Sequence, residues 1–326
     1  MILTRSPLRV TFGGGGTDLP SYYREHGGFL VSAAIDKHVF VSVMQPFTPG
    51  IYLKYSRLER ADHIDQVQHP IIRECLALLE FANARIEITT LADIPAGTGL
   101  GSSGSFTTAL LKALYAFKQR MIPTEELARL ACEIEINRLR EPIGKQDQYI
   151  AAFGGITCFA FHRDDTVEVQ PLQLSAETLF DLEDNLLLFF TGFERNAGSV
   201  LQDQDTRTKE LDRGMLENLH YVKELGLRSK KALEDGRPAL FGELMHEHWL
   251  NKRKRSKGIT NPQIDEWYEL GRANGAIGGK LVGAGGGGFL MFYTEARSKL
   301  KRAMFRAGLE EVRFRFDFEG TKVLLA

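Results

Sequence analysis

The apolar positions of this 326-residue chain fall into two repeats. Alternating or short continuous apolar runs predict strands over 8–12, 29–32, 38–44, 51–55 and 85–91, then over 155–161 and 166–171. Phe106, Ala109, Leu110, Ala113, Leu114 and Phe117 recur at helical spacing instead, predicting a helix from about Ser102 to Lys118. A second helix is expected from Thr124 to about Arg140. The stretch 175–184 reads as polar and broken and makes a boundary between two units, 1–180 and 181–326. Beyond it the pattern predicts a buried strand at 185–191 and helices to about Asn274. Strands at 280–284 and 289–293 flank a glycine turn, followed by a helix at 295–307 and a hairpin over 312–325. This order predicts an α+β sandwich with helices on one face of an antiparallel sheet.

The first long helix is preceded by Pro95-Ala96-Gly97-Thr98-Gly99-Leu100-Gly101-Ser102-Ser103-Gly104-Ser105. Glycines there let the backbone turn tightly and approach a ligand, while the N–H groups and dipole of a helix start favour an anion such as phosphate. The serine hydroxyls can also reach a metal ion carried by that phosphate. The Gly99-x-Gly101-x-x-Gly104 pattern inside the loop is not a dinucleotide fingerprint. The preceding strand ends too early, and a second helix, not a strand, follows at Thr124. A Walker sequence is absent as well, because Gly278-Gly279-Lys280 leads into Leu281. His162-Arg163-Asp164 and Asp317-Phe318-Glu319-Gly320 lack the remaining positions of the protein-kinase signatures they resemble.

Composition narrows the function classes further. A formal net charge of −1 argues against a nucleic-acid or membrane-surface role. Cys75, Cys132 and Cys158 are too few and too scattered for a disulfide framework or a zinc site. The chain has no secretory h-region at its start and no apolar run of membrane-spanning length, so a soluble cytoplasmic protein is expected.

Two more glycine clusters lie far from the first. Gly13-Gly14-Gly15-Gly16-Thr17-Asp18 leaves the first strand just after Arg9, and Gly283-Ala284-Gly285-Gly286-Gly287-Gly288 joins two late strands. Between them, Asp147 sits between Gln146 and Gln148 near an expected helix start, twelve residues after Glu135.

These spacings resemble the GHMP family of small-molecule kinases over nearly the whole chain. The family's Pro-x-Arg with Asp nine positions on matches Pro7-Leu8-Arg9 and Asp18; its Pro-x-Gly-x-Gly-Leu-Gly-Ser-Ser matches Pro95 to Ser103; its third motif matches Lys280 to Gly288. The resemblance implies a ribosomal-protein-S5-like N-terminal α/β domain and a ferredoxin-like C-terminal α+β sandwich. It implies that Pro95, Gly97, Gly99, Leu100, Gly101, Ser102, Ser103, Gly104 and Ser105 wrap the phosphates of ATP. Ser103 and Glu135 would hold Mg²⁺. Asp147 would face the acceptor hydroxyl, as base or as orienting group, with Arg9 beside it as counter-charge. Such a set suits phosphoryl transfer, which depends mainly on positioning and charge neutralisation.

Within the family, Gly13 to Tyr23, Asp93 to Gly97 and His246-Glu247-His248-Trp249 look most like kinases of D-glycero-D-manno-heptose 7-phosphate. That likeness implies phosphorylation of the anomeric hydroxyl, with the sugar held by Gly14, Gly15, Gly16, Thr17, Asp18, Gly285 and Gly286. The acceptor's own phosphate needs a cation. Arg195 and the run Lys252, Arg253, Lys254 and Arg255 are the candidates, with Lys252 and Arg253 preferred. Rival readings are a family kinase for another sugar such as fucose, and a kinase-derived sugar sensor without chemistry.

Overall fold

The computed structural model describes residues 1–81, 85–193 and 198–326. In chain order the elements begin with β1 (Ile2–Gly13), α1 (Pro20–His26), β2 (Gly28–Met44), β3 (Gly50–Lys54), β4 (Leu58–Ala61), α2 (Pro70–Leu78), β5 (Arg85–Ala92), α3 (Ser102–Phe117), α4 (Thr124–Cys132), α5 (Gln146–Phe153), β6 (Ile156–Phe161) and β7 (Val167–Pro171). They continue with α6 (Ala176–Asn185), β8 (Leu186–Phe190), α7 (Gly198–Lys209), α8 (Arg213–Glu234), α9 (Pro238–Lys252), α10 (Pro262–Ala273), β9 (Ala276–Leu281), β10 (Phe289–Thr294), α11 (Arg297–Arg306) and β11 (Lys322–Leu325).

The larger sheet runs β11-β1-β2-β5-β3-β4, with β6 joined to the first half of β2 and β7 to β6. All its pairings are antiparallel except β3 with β5. Two strands expected at 29–32 and 38–44 are one, β2. Its register against β1 jumps from Pro7↔His38 to Leu8↔Ile35, leaving Asp36 and Lys37 in a bulge. Pro7 has no N–H to offer the ladder at that point, and the two polar bulge residues broke the apolar run.

Helices α2 to α5 cover one face of this sheet and share a core with it, built on Val41, Ile86, Leu110, Leu114, Ile134 and Phe159. The other face carries Leu8, Val10, Phe12 and Val31 into a second core with Leu225 and Leu233 of α8, Phe241 and Met245 of α9, and Met291 and Tyr293 of β10. This core joins the larger sheet to the antiparallel β8-β10-β9 sheet. The smaller sheet is buried on both faces, since Leu187, Phe189, Leu290 and Phe292 alternate into a third core with Trp249, Tyr268, Leu300 and Met304. The α+β class is therefore observed.

Three elements depart from the sequence pattern. The stretch expected to be broken is the helix α6, with the Ser175 hydroxyl capping it by accepting from the Thr178 N–H at 3.1 Å. Leu182, buried on α6, packs into the second core. The helix expected from 124 to 140 widens into a π-helix over Glu133–Arg138, a distortion that often accompanies a functional site. The expected hairpin over 312–325 does not form. Glu311 instead bridges to Phe189, Phe316 to Ile35, and β11 pairs with β1. Buried Phe314 and Phe316 carry the segment from the small sheet to the large one through the second core.

Helix α3 meets α5 without a side chain between them. A Cβ on Gly104 would lie 2.8 Å from the Asp147 carbonyl carbon and 2.9 Å from the Gln148 nitrogen. Gly104→Ala should therefore force α5 off α3 and cost about 1–3 kcal/mol, read from the urea midpoint. An unchanged midpoint would show that the two helices tolerate separation.

Candidate active site

A cavity of about 660 Å³ lies where the β1–α1 loop, the loop before α3, the start of α5, the end of α9 and the β9–β10 loop converge. Gly97, Gly99 and Gly101 all take positive φ, at 81°, 84° and 77°, which only glycine adopts without strain. Gly101 is the N-cap of α3, and no side chain caps that helix. The loop thus brings an uncapped, positive helix end to the cavity wall, a ready site for phosphate oxygens.

In the first turn of α3, the Ser103 hydroxyl donates to the Glu135 carboxylate, whose other oxygen accepts from the Gln148 amide at 3.0 Å. The π-helical turn carries Glu135 into this position, where it has no solvent exposure. Burial pushes its carboxyl up to about 7, against the lowering pull of the Ser103 and Gln148 hydrogen bonds. The Gln148 carbonyl oxygen beside it is buried with no partner. A desolvated carboxylate, a hydroxyl and an orphaned amide oxygen make a hard-oxygen donor set that fits Mg²⁺. No cluster of three His, Cys, Asp or Glu exists among the described residues.

Arg9 and Asp147 form a two-pronged pair. Arg9 Nε donates to one carboxylate oxygen at 2.8 Å and Nη2 to the other at 3.0 Å. Nη1 of Arg9 donates to the Gly99 carbonyl, and its backbone N–H to the Leu100 carbonyl at 2.9 Å. Arg9 is buried while the Asp147 side chain keeps 30% exposure toward the cavity. Asp18 caps α5 by accepting from the Gln146 N–H at 3.1 Å, and it closes its own loop by accepting from the Gly16 N–H at 3.1 Å. Gly144 passes so close that any Cβ would strike the Asp18 carboxylate. Burial raises the Asp18 carboxyl, and nearby Asp147 adds to the rise.

The opposite wall is cationic. Lys252 Nζ donates to the Leu281 carbonyl at 3.0 Å and to that of Gly283; Lys280 Nζ donates to the Phe12 carbonyl at 2.9 Å. Burial lowers the Lys252 ammonium to about 7, helped by Arg255 and Arg9, and drops Lys280 further below its usual range. Neutral His248 approaches Lys280 at 3.3 Å, its own basicity suppressed by burial and these cations. Lys252 thus ties the end of α9 to the β9–β10 loop, and Lys280 ties β9 to the end of β1.

Of the residues expected at the site, Arg9, Gly15, Gly16, Asp18, Gly97, Gly99, Gly101, Ser102, Ser103, Gly104, Glu135, Asp147, Lys252 and Gly285 line the cavity. Others lie behind it. Leu100 is core, and the Ser105 hydroxyl is spent on the Pro7 carbonyl at 2.6 Å. Pro95 stands outside, its carbonyl accepting from the Thr98 hydroxyl at 3.0 Å. Gly14 packs on Leu30, and the Thr17 hydroxyl is used within its loop, donating to the carbonyls of Gly14 and Phe29 at 2.9 Å each. The Gly286 N–H donates to the Ile259 carbonyl at 2.7 Å. Arg253 turns away to pair with Asp265 at 3.2 Å. Arg195 lies outside the described residues.

The sequence reading gave no role to Gln146, Gln148, Gln204 or Lys280, all of which line the cavity. The amides flanking Asp147 were the available signal: Gln146 donates to the Thr11 hydroxyl and, at 3.1 Å, to that of Ser32, fixing the start of α5.

Comparison with known proteins agrees with this geometry. The model of the GHMP kinases N terminal domain matches residues 70–155, and that of the GHMP kinases C terminal matches residues 229–310, together just over half of the chain. The D-glycero-alpha-D-manno-heptose 7-phosphate kinase of Campylobacter jejuni is 28% identical, with 98% of this chain and 97% of that protein aligned. The L-fucokinase/L-fucose-1-P guanylyltransferase of Bacteroides fragilis is 27% identical over 88% of this chain, which spans only 34% of that longer protein. Among solved structures, a D-glycero-D-manno-heptose 1-phosphate kinase from Bacteroides thetaiotaomicron superposes with a TM-score of 0.81 at 25% identity, covering 100% of this chain and 99% of that one. With both domain models matched in order and three glycine loops gathered on one cavity, the chain belongs to the GHMP kinase family and is a phosphotransferase.

Proposed function

We propose that this kinase uses ATP and Mg²⁺ to phosphorylate the anomeric hydroxyl of D-glycero-D-manno-heptose 7-phosphate, giving the 1,7-bisphosphate. The observation that carries the reading is the shared cavity: Asp147, braced by Arg9, faces the same space as the Gly97–Gly104 loop and the Ser103–Glu135 pair. The manno-heptose phosphates in the names of two aligned proteins support the acceptor class.

The chain's residues divide the work. The loop N–H groups and the start of α3 hold the nucleotide phosphates. Ser103 and Glu135 hold Mg²⁺, which when bound neutralises charge on the transferring phosphoryl group. The acceptor hydroxyl donates a hydrogen bond to Asp147, which takes its proton as the sugar oxygen bonds to the γ-phosphorus and the bond to ADP breaks. Arg9 anchors the Asp147 carboxylate through both oxygens, so the carboxylate cannot rotate away from the line of attack.

Asp147→Asn should lower turnover by about 10²–10⁴-fold while ATP affinity, measured by titration, stays within a few-fold. Near-normal turnover would remove Asp147 from the chemistry. Glu135→Gln should raise the Mg²⁺ concentration for half-maximal activity by about 10–100-fold; an unchanged Mg²⁺ profile would move the metal elsewhere. On a panel of free and phosphorylated sugars the enzyme should prefer the heptose 7-phosphate. Preference for fucose or another unphosphorylated sugar would overturn the acceptor assignment, and absence of ADP release with every sugar would favour a binding protein.

A further inference from the structure

Four buried arginine and lysine residues line the cavity; Arg9 is paired with Asp147, and among the described residues Lys252, Lys280 and Arg255 form no ion pair. The two lysines spend their donors on loop carbonyls and on His248. Arg255 differs. It follows the end of α9, folded back so that its backbone N–H donates to the Lys252 carbonyl at 3.0 Å. Nε donates to the Asn218 side-chain oxygen at 3.0 Å. Nη1 donates to the Gln204 side-chain oxygen at 3.1 Å and to the Gly15 carbonyl at 3.3 Å. Gln204 is in turn fixed by donating to the Gly16 carbonyl at 2.7 Å. Nη2, with its two N–H groups, is buried and has no partner among the described residues. Neutral groups on α7, α8 and the β1–α1 loop thus lock the guanidinium in one orientation and leave one edge unsatisfied.

Leaving charged donors buried and unpaired is costly, so an orientation held this firmly implies a ligand that completes it. The nearest acid acting on Arg255 is Asp18, whose oxygens already serve the N–H groups of Gly16 and Gln146. Asp147 is taken by Arg9, and Glu135 by Ser103 and Gln148. Among the described residues, the one other acid lining the cavity, Glu141, is exposed, and none forms an ion pair with Arg255.

We propose that Arg255, oriented by Gln204 and Asn218, is the anchor for the acceptor's own phosphate group, through Nη2. This rests on the sugar-phosphate reading above. It selects Arg255 out of the basic run, where Arg253 is committed to Asp265 and Lys252 to the third glycine loop. Planar N–H donors match phosphate oxygens well. The residue sets specificity by leaving its donors unmet when an unphosphorylated sugar binds.

The test uses the full-length enzyme saturated with a non-hydrolysable ATP analogue and Mg²⁺, so that the γ-phosphate position of the nucleotide is filled. Inorganic phosphate, titrated calorimetrically, should bind the wild type and bind Arg255→Gln about 10–100-fold more weakly, with Arg255→Lys between. Equal phosphate affinity in wild type and Arg255→Gln overturns the proposal. With turnover as the readout, the kcat/KM ratio of heptose 7-phosphate to heptose should fall by about 10–100-fold in Arg255→Gln; an unchanged ratio overturns it too. A wild type inactive on heptose 7-phosphate, whose phosphate binding is nonetheless lost in Arg255→Gln, would reject the heptose reading and keep the anion anchor. Should Arg255→Gln fail to fold, Gln204→Met keeps the charge but frees Nη1, and it should weaken phosphate binding several-fold. Undiminished binding there overturns the proposal.

Discussion

Everything in the cavity is registered by one guanidinium. Arg9 leaves the larger sheet on β1, and its backbone N–H and Nη1 hold the carbonyls of Leu100 and Gly99 while Nε and Nη2 clamp both oxygens of Asp147. A planar, permanently charged fork fixes distances and angles together, which a flexible ammonium cannot do. The glycine loop, the strand and α5 therefore share a single reference point. Because Arg9 is buried, solvent screens this pair little, and the clamp keeps its strength.

Around that clamp the loops touch backbone to backbone. A Cβ on Gly283 would sit 2.6 Å from the Gly99 carbonyl oxygen, and Gly288 likewise has no room beside the Thr98 carbonyl. On the far side Gly13 lies against Gly226 of α8, 2.9 Å from where a side chain would begin. The backbone carbonyls beside these contacts also need donors. Lys252 and Lys280 satisfy those of Phe12, Leu281 and Gly283. Two buried charges with lowered proton affinity are thus the counterpart of loops too close to admit side chains.

The glycine loops and the helices flanking them were legible because backbone permission is written locally: Gly97, Gly99 and Gly101 sit where the chain must take positive φ. The stretch after Ser175 read as broken because of its polar residues, and the structure shows Ser175 capping a helix there. What lay hidden depends on segments distant in sequence. Nothing in the run 252–255 tells Arg255 from Arg253, because α9 ends at Lys252 and the tight turn beyond it decides which cation faces inward. The π-helical widening at Glu133–Arg138 and the two-residue bulge at Asp36 and Lys37 are likewise shifts of a residue or two, below the resolution of a hydrophobic period. Gln148 carries its signal only once Glu135 is beside it.

The pairing of β11 with β1 bears on the order in which the molecule assembles. Leu3 lies opposite Leu325, more than three hundred residues away. During synthesis β1 is made first and can pair at once with β2, yet its other edge stays bare until the small sheet and its helices have been made. The crossing segment that delivers β11 is anchored by Phe314 and Phe316 in the core between the sheets, so closing that edge and docking the two sheets are one event. Long-range closure of this kind slows folding and exposes a strand edge meanwhile. Arg9 on β1 and Asp147 on α5 both precede in the chain the α9 and β9 residues that make the cationic wall of the cavity.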